Sequence, residues 1–240
     1  MTSGVLDLLI PTYDQTVSPE DVFAYVYAAL GGASYTERFS DELSIPGPRL
    51  PLTKDGELFR RGIGLGRRLI ALHTYGERFG DALPGGRLGG MAKSRVGVPQ
   101  TEEGYPERFE YNEATRELHV GEGRFGPVEP AVWAYEVSGL RVVRSWLGYR
   151  MKERAGRASS TLDEIRPESW TPQMSKELLE LLWVLEATVA MEPELRGFLD
   201  EVVAGPLFTA EELPMPTDEE RAAPKRRQDG GEVEQPRLLG

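Results

Sequence analysis

The stretch Arg108–Val128, RFEYNEATRELHVGEGRFGPV, alternates apolar and polar residues: Phe109 and Tyr111, then Leu118 and Val120, then Phe125. Turn-forming residues lie between, at Asn112–Thr115 and Gly121–Gly123. A period of two is that of a strand with one covered face, and two such turns join three strands into a β-meander. Since the segments around it have helical spacing, the class is α+β rather than a helical bundle.

Moving toward the amino terminus, PGGRLGGMAKSRVGVPQTEEGYPE (84–107) is rich in glycine and proline and carries Arg87, Lys93 and Arg95. It reads as a long loop, a kind of segment that is more often functional or mobile than idle. Before it, DGELFRRGIGLGRRLIALHTYGERF (55–79) returns to helical spacing through Leu58, Phe59, Leu65, Leu69 and Leu72. Gly62, Gly64 and Gly66 each cost a helix roughly 1 kcal/mol against alanine, so they point to close packing of another backbone or to a helix broken in its first turns. SIPGPRLPL (44–52) holds three prolines and is a connector, the first boundary. SPEDVFAYVYAALGG (18–32) has a capping residue in Ser18, Pro19 at the first helical position, Asp21 to complete a capping box, and a Gly31–Gly32 stop. SYTERFSDEL (34–43) forms a second, shorter helix.

Toward the carboxyl terminus, AVWAYEVSG (131–139) is expected to add a strand. Thr171 caps and Pro172 begins a helix that is apolar almost all round, and Pro193 is expected to begin a second one ending at Gly205–Pro206, giving a buried helical pair. Residues 209–240 have little to bury and are expected to be a disordered tail.

Composition narrows the chemistry. The 240 residues are 40% apolar and 28% charged, as in ordinary globular proteins, with a net charge of -11. No cysteine is present, so neither disulfides nor thiolate metal sites arise, and only His73 and His119 offer imidazoles. No apolar run reaches the roughly 20 residues a membrane span needs, and the amino terminus lacks the basic region of a signal peptide. A cytoplasmic location is the expectation. GIGLG (62–66) follows a polar, helical ELFRR instead of an apolar strand, so no dinucleotide loop is read there. In GGMAKS (89–94), Ala92 stands where a P-loop demands glycine. His73 reads as a satisfied structural histidine, and His119 faces outward from its strand. With no nucleophile, base and orienter set, neither catalytic residue, metal nor cofactor is assigned.

Charge is unevenly spread. Eight Arg and Lys residues fall between Arg60 and Arg95 against Glu77 and Asp81, whereas Glu177–Arg221 is acidic. GLRVVRSWLGYRMKERAGRASS (139–160) gathers Arg141, Arg144, Arg150, Lys152, Arg154 and Arg157 against Glu153 alone, interleaved with Trp146 and Tyr149. Drawn as one helix, it places Val142, Val143, Trp146, Leu147 and Tyr149 on one side, with Arg150, Arg154 and Arg157 continuing that side. Unpaired buried guanidinium groups are too costly to keep, so either the helix outruns its core after about Tyr149 or these three meet an anion; the plainer reading is a solvated basic face paired with the acidic terminal helices. An anion of this geometry is the phosphate backbone, with aromatics for bases.

FAYVYAALGGASYTERFSDEL, IPGPRLPL, LGRRLIALHTYGERF, FEYNEATRELHVGEG, VWAYEVSGLRVVRSWLGYRMKERAGRASSTLDEIRPESW and ELLELLWVLEATVAMEPELRGFLDEVVAGPLF together resemble, in this order, the carboxyl-terminal part of Type ISP restriction-modification enzymes. The resemblance implies that residues 1–48 are the end of a methyltransferase region and that residues 49–208 are a target-recognition (specificity) domain. The family's F-x-G-x-G and N/D-P-P-Y methyltransferase motifs, Walker motifs and nuclease carboxylates do not occur here, so the implied function is DNA reading without the catalytic parts. Double-stranded DNA is the expected partner, contacted through Arg87, Lys93, Arg95, Arg144, Tyr149, Arg150, Lys152, Arg154 and Arg157. The alternative is an interaction subunit or remnant that docks onto a methyltransferase or restriction-enzyme chain.

Overall fold

A computed structural model describes residues 3–45, 49–152 and 169–217. Arg154 and Arg157 of the expected site lie outside the described residues, as do the prolines at 46 and 48 and residues 218–240 of the expected tail. The class is α+β: helices and a four-stranded antiparallel sheet, organised as two hydrophobic cores that share one long helix.

The first core is helical. Helix α1 (Ser3–Tyr13) leads into α2 (Pro19–Leu30), whose capping box forms as expected: the Asp21 amide donates to the Ser18 hydroxyl, and the Ser18 amide donates to the Asp21 carboxylate. A short α3 (Ala33–Arg38) follows, then α4 (Gly56–His73), which Asp55 caps by accepting from the amides of Glu57 and Leu58. The glycines do not break α4. They let α2 lie against it: a side chain at Gly66 would place its Cβ 1.7 Å from the Ala24 carbonyl oxygen, and one at Gly62 would meet the rings of Phe198 and Tyr25. Tyr25 stacks on Phe59 at 4.9 Å and meets Phe198 edge-on at 5.8 Å. The two sides of the connector therefore share one core, in which Leu9, Val22 and Tyr25 pack with Phe59, Leu69 and Leu72.

The second core is built on the sheet. Strands β1 (Lys93–Val96), β2 (Phe109–Asn112), β3 (Glu117–Val120) and β4 (Gly123–Gly126) are ordered β1-β4-β3-β2, all neighbours antiparallel. The meander stands as read. The loop of 84–107, however, contains β1, an edge strand paired with β4 and bulged at Arg95. All four β1 residues are exposed, so no apolar alternation marks it. Leu118, Val120 and Phe125 are fully buried against Val132, Val143, Leu147, Leu178 and Leu182.

Three further expectations are corrected. AVWAYEVSG begins as helix, α5 (Pro130–Ala134), because Pro130 is pre-set for a first helical position. Only Glu136–Val137 is strand (β5), paired in a hairpin with β6 (Leu140–Arg141). The basic run of 139–160 is not one helix: Arg141 belongs to β6, and α6 (Val142–Gly148) ends before Arg150, leaving Tyr149 67% exposed instead of on the apolar side. The terminal helical pair is a single helix, α7 (Pro172–Ala204), 33 residues long and capped by Thr171. Pro193 sits inside it. A mid-helix proline costs about 3 kcal/mol, and burial of Met191 and Leu195 on either side offsets that.

Helix α7 is what joins the cores. Leu178, Leu181, Leu182 and Leu185 belong to the sheet core, and Met191, Leu195, Phe198 and Val202 to the helical core. Residues 209–217 of the expected tail run back over the helical core, where Leu213 packs and Lys54 binds Glu212 at 2.6 Å.

Candidate functional site

The two cores treat their positive charges differently. Around the helical core, cations meet carboxylates of the same chain: Arg61 meets Glu201 at 2.8 Å, Arg67 meets Asp21 at 2.7 Å, Arg68 meets Glu194 at 3.1 Å, and Arg196 meets Glu37 at 2.8 Å. Arg38 pairs with Asp200 and Arg60 with Glu57. The acidic half of α7 neutralises the basic face of α3 and α4. A groove beside it, lined by Asp55, Glu57, Leu58, Arg61 and Glu201, is acidic and offers nothing to a polyanion.

Around the sheet core the pairing is incomplete: Arg116 meets Glu129 at 2.8 Å and Arg141 lies 3.7 Å from Glu136, but others there keep no partner among the described residues. Register places Glu110, His119, Arg124 and Val96 in one row across the sheet's outer face, and Asn112, Glu117 and Lys93 in the next. Arg95 leans from the bulge toward Glu117, 3.8 Å away and 54% exposed, too loose to neutralise it fully. Among the described residues, no hydrogen bond or ion pair engages the side chains of Arg87, Lys93, Arg108 or Arg124, and all four are exposed. The structure thus brings Lys93 and Arg95 together with Arg124, which sequence reasoning missed. Its signal was available: the alternation that buries Leu118, Val120 and Phe125 sends His119 and Arg124 to the other face. Arg87 lies in the preceding loop and contacts neither group.

The remaining expected cations lie in the helical layer on the inner side of the sheet. Arg144, on α6, lays its guanidinium over the Trp133 ring, 4.8 Å from the centroid. Trp133 stacks on Tyr111 at 5.0 Å and 26°, which links the β2 edge to α6. Arg150 is held from three sides: over the Trp146 ring at 3.7 Å, donating to the Trp146 carbonyl at 3.2 Å, and pairing with Glu177 at 3.5 Å. The alternative reading, internal pairing with the terminal acidic helix, therefore holds for Arg150. Lys152 lies 3.9 Å from Glu107, its amide donating to the Pro106 carbonyl. Tyr149, just beyond α6, is exposed.

His73 is bound on both ring nitrogens, to the Tyr27 hydroxyl at 2.8 Å and the Thr188 hydroxyl at 3.2 Å, and burial lowers its pKa. Among the described residues, no group of three or more acidic or histidine side chains could hold a metal ion, and no helix is long and apolar enough to cross a membrane.

The profile of the Type ISP C-terminal specificity domain matches residues 2–181. Two solved structures are similar in fold. A nuclease-deletion mutant of the Type ISP restriction-modification enzyme LlaGI, in complex with a DNA substrate mimic, superposes with a TM-score of 0.50 at 18% identity, over 75% of this chain and 14% of that one. The DrdV–DNA complex superposes with a TM-score of 0.52 at 19% identity, over 88% of this chain and 20% of that one. The chain thus spans a fifth or less of the length of these structures. No curated protein sequence matches it.

Proposed function

Because the chain belongs to the Type ISP C-terminal specificity domain family, we propose that it is a target-recognition module for double-stranded DNA. Residues 49–208 carry the reading surface, and residues 1–48 are the end of a methyltransferase region fused onto its core. One observation carries this reading beyond family membership: on the sheet core the exposed Lys93, Arg108 and Arg124 keep no partner among the described residues, whereas Arg61, Arg67 and Arg68 on the helical core each meet a carboxylate. Phosphate contacts are what unpaired, surface-directed guanidinium and ammonium groups can supply.

The surface comprises Lys93, Arg95 and Arg124 on the outer sheet face, Arg87 ahead of it, and Arg144, Tyr149 and Lys152 toward the β2 edge; Arg154 and Arg157, outside the described residues, are assigned to it from the sequence alone. Arg150, clamped by Glu177, positions its neighbours more than it grips a phosphate. An anisotropy titration of a labelled duplex tests the proposal. Affinity falls with salt along a logarithmic slope of about -0.9 for each phosphate neutralised. A flat salt response, or no association in low salt, overturns the reading.

A catalytic step is not assigned to this chain: methyl transfer, ATP hydrolysis and cleavage belong to a partner chain of the methyltransferase or restriction-enzyme type, in the cytoplasm. Incubation with labelled S-adenosylmethionine and duplex DNA leaves the DNA unlabelled when the chain acts alone.

A further inference from the structure

Arg144 and Arg150 lie six residues apart, and each guanidinium sits on an indole ring. Their surroundings differ. Arg150 has a carbonyl and a carboxylate as partners. Among the described residues Arg144 has neither; it is exposed, and the Trp133 face is its only contact of this kind. That face is firmly held. Trp133 is 9% exposed, stacks on Tyr111 and meets Phe109 edge-on at 6.1 Å, and the Tyr111 hydroxyl donates to the Val128 carbonyl at 2.9 Å. Val143 and Leu147, both fully buried, fix the helix that carries Arg144.

The hairpin leading directly into this helix has an unusual surface. All six residues from Glu136 to Arg141 are exposed, Val137 and Leu140 at 51% and 55%. Ser138 and Gly139 take left-handed φ values of 50° and 82°, which closes the two strands tightly. A two-stranded ribbon of this kind fits the major groove of B-form DNA, where exposed apolar side chains can meet thymine methyls. A guanidinium laid on a ring presents its donors in a fixed plane. The same planar fork can serve phosphate oxygens, but within the groove the acceptors it meets are base edges, and guanine offers O6 and N7 as a matched pair.

Resting on the DNA-recognition reading, we infer that the β5–β6 hairpin enters the major groove and that Arg144, oriented by Trp133, reads a guanine through its O6 and N7. Arg144 is then a specificity-determining residue and Trp133 a positioning residue.

The test is selection of binding sites from a randomised duplex pool by the full chain and by R144K, followed by anisotropy on the selected duplex. The wild type enriches a site with an invariant guanine, and R144K loses preference at that one position by about 10- to 100-fold, with its other preferences kept. Placing 7-deazaguanine at that position removes the N7 acceptor without altering the protein. It weakens wild-type binding and leaves R144K unaffected, a result that a role of Arg144 in folding would not produce. Three results overturn the inference alone: R144K losing affinity equally for all sequences, as a phosphate contact would; R144K keeping the guanine preference; or wild-type indifference to the deaza base. A wild type that binds duplexes without enriching any site overturns the guanine assignment and narrows the module to non-specific binding, whereas no duplex binding at all overturns the function proposed above.

Discussion

The helical and sheet halves of this molecule carry similar clusters of positive residues and put them to different use. Arg61, Arg67 and Arg68 on α4 look, in sequence, as available as Lys93 and Arg95. In space each of the three meets a carboxylate, two of them on α7 more than a hundred residues away. Lys93 and Arg124 meet none among the described residues. Clustered charge becomes a surface only where the fold supplies no counter-charge, so the pairing pattern says more than the run of residues.

The contrast can be tested from its strongest expected effect downward. The helical half depends on close backbone approach, so Gly66→Ala, which forces a Cβ onto the Ala24 carbonyl, should destabilise by about 3 kcal/mol in chemical denaturation. Gly64→Ala on the same helix has open space around it and should stabilise by about 0.5–1 kcal/mol. If both substitutions behave alike, the packing account of the glycines fails. Next comes the division of charge. A triple Arg87→Ala, Lys93→Ala, Arg124→Ala variant should flatten the salt slope of duplex binding by about three units, and the matching Arg38→Ala, Arg61→Ala, Arg68→Ala variant should leave it in place. Equal flattening in the two would erase the distinction between the halves.

A smaller effect concerns pH. Burial depresses the His73 pKa below its unfolded value of about 6.5. Between the two values the unfolded chain binds the extra proton, so stability is complete above about pH 6.5 and is lost as pH falls toward the folded pKa. Denaturant midpoints should therefore drop between pH 7.5 and pH 6 in the wild type and drop less in His73→Gln. An equal drop would remove His73 as the cause. Smallest of all, Glu201→Gln should cost about 1 kcal/mol or less, because the Arg61–Glu201 pair is half exposed and screened by solvent.

The parts of the fold that were legible are those decided locally. Ser18 and Thr171 cap the helices assigned to them, and the alternation from Phe109 to Phe125 is the sheet's inner face. What was not legible depends on distant partners. Lys93–Val96 is a strand because β4 offers it an edge, not because its own residues alternate. Pro193 signals a break between two helices, a local rule that burial of Met191 and Leu195 on the helical core overrides. Of the candidate site, the basic residues were visible but their availability was not, since Glu177 claims Arg150 from a helix that begins beyond the undescribed segment. The outward face of Arg124 could be read from the alternation of its strand, but its place beside Lys93 and Arg95 could not, since that depends on the register of β1 on β4.

At 1.5 Å per residue, the 33 residues of α7 reach about 50 Å, and each end anchors a different core. Neither half can be dissected away: a polypeptide stopping near residue 185 strips Phe198 and Val202 from beneath α2 and α4, and one starting after it strips Leu178 and Leu182 from beneath the sheet. Heat or denaturant should consequently melt both halves in one cooperative transition, with the slowest-exchanging amides along the middle of this shared beam.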